Sequence, residues 1–209
     1  MSRPLLICDC DEVLLHMVGH FGEWLDEAHG IDFDFESEDY SLALKHRETG
    51  AAVARDEAWP LLNAFFETEM ARQTPVPGAS EALVRISEHA DVVILTNLED
   101  HFGAARIAQL AAFGIDHPVR TNQGGKGEKV AALVEEFAPA VGVFVDDLWI
   151  HHRSVAKRAP SVWRLQMIAE PRIADRVPPA EDAHARIDDW PAAADWIIGR
   201  FTDGEAPDD

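Results

Sequence analysis

Polar residues close three of the chain's apolar runs. Leu5-Leu6-Ile7-Cys8 stops at Asp9-Cys10-Asp11-Glu12, Asp91–Leu95 stops at Thr96-Asn97, and Val141–Val145 stops at Asp146-Asp147. Short apolar runs with abrupt ends suit buried strands of a parallel sheet. If the backbone stays extended through 9–12, Asp9 and Asp11 share one side and Cys10 and Glu12 the other. Open α/β sheets bind their ligands at the carboxyl ends of the strands. Carboxylates gathered at such an edge can attack an electrophile, move protons and hold a hard cation. The same residues would also serve as caps of turns or helices.

These groups meet only if the segments between them build a sheet. Leu15–Gly30 carries His16, Met17, His20, Phe21, Trp24, Leu25 and Ala28 at three- and four-residue steps, which predicts a helix. Ile31–Tyr40 is acidic and aromatic and reads as a loop; helical patterning returns over Ser41–Arg47 and Asp56–Arg72. Thr74-Pro75-Val76-Pro77-Gly78 punctuates the chain. Beyond it come a helix at Ala79–His89, the second strand, and a helix at Glu99–Phe113 closed by Gly114. Gln123–Gly127 is a flexible turn opening the helix Glu128–Ala138, and the third strand follows. A helix at His151–Arg158, a strand at Val162–Met167 and a helix at Ala192–Phe201 complete the pattern.

Alternating strands and helices predict an α/β fold, a doubly wound, Rossmann-like parallel sheet with right-handed crossovers. Asp9 and Thr96 lie 87 positions apart, whereas one crossover unit takes about 30 residues. The surplus predicts a small α-helical insertion at 16–75, a core of 1–15 and 76–201, and a frayed acidic tail at 202–209. His16 and His20 read as a packed or hydrogen-bonded pair rather than zinc ligands, and His151 and His152 as surface or helix-start residues.

Asp9-x-Asp11-x-Val13-Leu14, Thr96-Asn97, a lysine near the start of a helix and Asp146-Asp147 follow one another in a recognisable order. In that order the chain resembles the haloacid dehalogenase-like (HAD) phosphohydrolases, with Val13 where many members carry Thr. The resemblance spans the core and, by position alone, the insertion, which it implies is a cap over the site. It implies that Asp9 is the nucleophile and Asp11 the general acid/base. Thr96, Asn97 and Lys126 (or, less well, Lys129) would hold the phosphate. The metal ligands it implies are Asp9, the backbone carbonyl of Asp11, and Asp146 or Asp147, with Asp147 slightly favoured.

Charge bookkeeping agrees with a cation. Two like charges ~4 Å apart cost about 4 kcal/mol at an effective dielectric of 20. Oxygen-only ligands around a phosphate suit Mg²⁺ better than zinc. The implied activity is Mg²⁺-dependent hydrolysis of a small phosphorylated metabolite through an aspartyl-phosphate. Carbon–halogen hydrolysis on the same scaffold requires neither Asp11 nor a metal. A non-catalytic binding protein on it would be expected to have lost one of the acids.

Composition narrows the partners. The 209 residues are 47% hydrophobic, and no run approaches the ~18 apolar residues of a membrane span. Met1-Ser2-Arg3-Pro4 lacks the apolar stretch of a secretory signal. Cys8 and Cys10, two apart on one strand, are poorly placed to bond each other, so a reduced, cytoplasmic protein is expected. A net charge of −20, from 38 acidic and 18 basic residues, repels nucleic-acid backbones. The expected partner is a small phosphorylated substrate, with neither nucleic acid nor membrane.

Overall fold

The computed structural model describes residues 2–36 and 43–207. β1 (Leu5–Cys8) leads to a two-residue strand, β2 (Leu15–His16), and to α1 (Val18–His29). β3 (Ile31–Phe33), β4 (Leu44–His46) and α2 (Arg55–Thr68) follow, and β5 (Thr74–Pro75) returns the chain to α3 (Ala79–Ser87). Next come β6 (Asp91–Thr96), α4 (Gly103–Ala112), β7 (Val119–Thr121), α5 (Gly127–Phe137) and β8 (Gly142–Asp146). α6 (Trp149–Arg158), β9 (Val162–Gln166), α7 (Pro171–Ala174), β10 (Ala185–Arg186) and α8 (Trp190–Asp203) complete the chain.

Six of the strands form one parallel sheet in the order β10-β9-β8-β1-β6-β7. The four residues of β1 are all apolar and fully buried, as a central strand covered on both faces requires. Leu5 and Ile7 pack with Val130 and Leu133 of α5 and Val155 of α6. Leu6 and Cys8 face the other way, toward Leu83 of α3 and Ile197 of α8. Each such aliphatic side chain contributes roughly 1.5–3 kcal/mol on full burial, so register here is strongly specified. Cys8 pairs with Val145 and with Ile94, which brings Asp9 beside Asp146 and near Thr96 at one sheet edge.

β2 and β5 pair antiparallel, Leu15 with Pro75 and His16 with Thr74, so the two chain passages into and out of the insertion run side by side. The insertion consists of α1, α2 and the β3–β4 pair. Phe21, Trp24, Leu25, Ile31, Leu44, Phe65, Phe66 and Met70 form its apolar cluster, which continues into Leu98 and Phe102 of the core.

Several local expectations change. The helix expected from Leu15 starts at Val18, because the Glu12 carboxylate accepts from the Met17 and Val18 amides at 2.7 and 2.5 Å. That leaves Leu15-His16 extended against β5. The loop expected at Ile31–Tyr40 contains β3, and the helix expected at Ser41–Arg47 gives way to β4; residues 37–42 lie outside those described. Ile31 buried, Asp32 exposed and Phe33 half-buried follow the strand period, but three residues are too few to reveal it. β7, β10 and α7 are likewise too short for their pattern to show. α8 continues through Asp203 into the segment expected to fray. Both cysteines are free and buried. No helix among the described residues is long and apolar enough to cross a membrane.

Candidate active site

β1 and β8 end side by side, and a buried lysine joins their terminal carboxylates. Lys126 Nζ lies 2.6 Å from Asp9 Oδ1 and donates to Asp146 Oδ2 at 2.7 Å. Lys126 is wholly buried at the head of α5, whereas Lys129 is exposed. The glycines before and after Lys126 make this possible. Gly124 takes a left-handed φ of +85°, and a Cβ on Gly127 would stand 2.2 Å from the Ser154 carbonyl oxygen of α6. Only a glycine lets α5 approach α6 that closely. Asp146 Oδ1 accepts from the Leu148 amide at 2.9 Å, so both its oxygens are engaged.

Asp147, half-buried, completes the corner: one carboxylate oxygen each from Asp9, Asp146 and Asp147 lie within 4.8 Å of one another. Burial pushes Asp9 up to about 7 against the pull of Lys126. Burial, with the charges of Asp146 and Asp9, raises Asp147 well above the carboxylate range. Burial also works against the Asp146 charge, but the Lys126 ammonium and its hydrogen bond, together with the His151 and His152 rings, outweigh it and hold Asp146 low. One ammonium does not suffice to keep three carboxylates of this all-oxygen donor set ionised together, as the upward shifts of Asp9 and Asp147 reflect. That is the chemistry a hard divalent cation fits.

Past Asp9 the chain does not stay extended. Glu12 takes φ +59°, and the Leu14 and Leu15 amides fold back to the Cys10 carbonyl at 2.8 and 2.9 Å. Two amide hydrogen bonds to the Glu12 carboxylate offset a conformation rarely adopted by residues other than glycine. Glu12 therefore reaches the same cavity as Asp9 and Asp11, not the opposite side as extended alternation predicts. It is buried there, and burial pushes it up to about 7.

Asp11 is held separately from Asp9. Arg106 Nη2 donates to both of its oxygens, at 2.9 and 3.1 Å, and Gln73 Nε2 donates to Oδ1 at 2.6 Å. The Thr96 hydroxyl lies 3.4 Å from Oδ2. Thr96 is buried at the end of β6; Asn97 is exposed, donating to the Gly124 carbonyl at 2.9 Å and accepting from Asn122. Asp9, Asp11, Asn97 and Asp147 open onto one cavity of about 450 Å³, roofed by Trp59, Leu62 and Phe66 of α2.

Four residues here were not singled out from the sequence, or were read otherwise. Arg106 is fully buried and Gln73 nearly so. His151 and His152, expected as surface or helix-start residues, lie in the first turn of α6 but are 5% and 0% exposed. Burial lowers the pKa of both. His152 Nε2 donates to the Asp146 carbonyl at 3.0 Å, and His151 lines the cavity beside Asn97. A signal existed for Arg106: it lies at four-residue steps between Phe102 and Leu110, on the buried stripe.

No family model and no curated protein matches the chain. Solved structures match almost its whole length. A HAD family hydrolase from Deinococcus radiodurans with bound phosphate and sodium superposes with a TM-score of 0.65 at 13% identity, covering 98% of each chain. A HAD-hydrolase from Bacillus subtilis bound to magnesium gives 0.64 at 11% identity, over 94% of this chain and 99% of its own. A predicted phosphoglycolate phosphatase from Haemophilus somnus gives 0.62 at 14% identity, over 93% and 96%. At these identities the likeness is one of fold, and the sheet order and the insertion after the first strand accord with it. The chain has the haloacid dehalogenase-like fold: a six-stranded parallel α/β core with a small insertion.

Proposed function

We propose that the chain is a Mg²⁺-dependent phosphatase that hydrolyses small phosphomonoesters through an aspartyl-phosphate on Asp9. The observation that carries this reading is the Asp9 carboxylate, 2.6 Å from the Lys126 ammonium and open to the cavity at the end of the central strand. The Asp9 carboxylate attacks phosphorus as the bond to the leaving oxygen breaks, and Asp11 protonates that oxygen. Water then attacks the same phosphorus, the bond to Asp9 breaks, and Asp11 takes the proton. Ester and water become alcohol and phosphate.

Arg106 and Gln73 fix the direction of the Asp11 carboxyl group. Lys126, Thr96 and Asn97 hold the phosphoryl oxygens, where positioning and charge neutralisation carry most of the acceleration. Asp9, the Asp11 carbonyl and the Asp146–Asp147 pair would hold the cation, which supplies further neutralisation there. Phosphate in one structure of this fold and magnesium in another support the assignment. The free cysteines accord with a reducing, cytoplasmic setting.

Phosphate release from a panel of phosphomonoesters, with Mg²⁺ and with excess chelator, tests the reading. Turnover with Mg²⁺ that the chelator abolishes is expected. Release that ignores the chelator, or no release from any ester, would contradict it.

A further inference from the structure

Above the carboxylates the cavity changes character. Its remaining wall includes Met17, Trp59, Leu62, Phe66, Leu148 and Ile150. Trp59 is 65% exposed, Ile150 51% and Leu148 40%, three of the most exposed large apolar residues among those described. An isolated exposed apolar residue needs no explanation, but these converge on one opening beside reactive groups. A second cavity of about 260 Å³ shares Trp59, Leu62 and Phe66 and adds the uncharged amides of Asn63, Asn122 and Gln123.

Cations are missing from this space. Among the described residues, no lysine or arginine lines either cavity, while Asp9, Asp11, Glu12, Asp147 and Glu99 do. Lys126 beneath is engaged by Asp9 and Asp146, and Arg106 by Asp11. A substrate bearing a carboxylate beside its phosphate would bring a second negative charge against acidic walls with nothing to pair it. An uncharged apolar group would instead lose water against Trp59 and Leu62.

From this we infer that the phosphomonoesters turned over here have neutral, apolar or aromatic leaving groups, and that phosphorylated carboxylates are rejected. The inference rests on the phosphatase reading and names its substrate class. Unbranched alkyl monophosphates from ethyl to hexyl test it, because their leaving groups differ little in basicity. With Mg²⁺ present, kcat/KM is expected to rise about fourfold per added methylene. Phosphoglycolate, whose leaving alcohol bears a carboxylate, should fall below ethyl phosphate by at least about tenfold. Trp59→Ala, at an exposed position, should shrink the hexyl-to-ethyl ratio by at least about fivefold. A flat alkyl series, a preference for phosphoglycolate, or an unchanged ratio in Trp59→Ala would overturn the inference while leaving the phosphatase reading in place. No phosphate released from any ester would overturn both.

Discussion

On the sheet side of the cavity, Asp9, Lys126 and Asp146 are buried and joined at 2.6 and 2.7 Å. On the insertion side, Trp59 stands 65% exposed, with Leu62 and Phe66 beside it on one helix. The first wall is placed by the register of parallel strands and by charges that cannot be separated without stranding one another. The second is one face of α2, in a segment that returns to the core through paired two-residue strands. On the proposed function, a charged floor under an apolar roof would separate the reaction from the choice of substrate.

Removing the charge that reacts is the strongest way to break this division. Asp9→Asn should abolish phosphate release to the buffer background while far-ultraviolet circular dichroism stays native; a folded variant with near-native turnover would refute the role of Asp9. Lys126→Ala is next. Loss of one cation at a developing phosphoryl charge should lower kcat/KM by roughly two to three powers of ten.

The third test compares buried with exposed pairing. Arg106→Met strips Asp11 of its fully buried partner and should cost about 3–5 kcal/mol in urea denaturation. Arg72→Ala, which removes a partly exposed cation from Glu27 and Glu69 on the insertion, should shift the midpoint little. Equal losses would erase the contrast between the two sides.

Without a cation the charged floor works against the fold. Asp9 and Glu12 are each pushed by burial from ordinary values of 3.8 and 4.5 up to about 7. The folded chain therefore binds more protons than the unfolded chain between those limits. This contribution is fully present below about pH 4 and is lost as pH rises through 7. Histidines lowered by burial work the other way below about pH 6.5, so the Asp9 share is read as a difference: in chelator, Asp9→Asn should lose less Tm than the parent from pH 6.5 to 8. Asp9→Asn should flatten the slope, and Mg²⁺ at pH 8 should restore much of the loss. The same pH dependence in the parent and in Asp9→Asn would contradict the argument. The smallest effect belongs to Lys129→Ala, which should change kcat/KM by less than about threefold, as for a solvated surface lysine; steady-state kinetics on it beside Lys126→Ala check the register.

The sheet was legible because its central strands are runs of four to six mostly buried residues whose ends are marked by polar groups. The insertion was legible as a surplus of chain but not in its parts. β3 and β4 have three residues each, shorter than any period, and Glu12 draws the start of α1 forward by two amide hydrogen bonds. Asp9, Thr96, Lys126 and Asp146 could be gathered from the sequence because each follows or opens a core element. Gln73 and His152 could not, since each gains its place from a partner distant in sequence or from burial under a neighbouring strand; Arg106 was marked only by its place on a buried helical stripe, and its pairing with Asp11 was not. The turn at Glu12 also escaped the period-two argument, which holds only while the backbone stays extended.

The covalent step proposed for Asp9 is open to direct capture. Protein quenched in acid during turnover of a phosphomonoester with Mg²⁺, then reduced with borohydride, should carry homoserine at position 9 in peptide mass spectrometry, because borohydride reduces an acyl phosphate and spares a free carboxylate. Reduction at position 9 alone, and its absence when substrate is omitted, is the predicted result. An unmodified Asp9 in protein quenched under full turnover, or the mark on a different carboxylate, would contradict it.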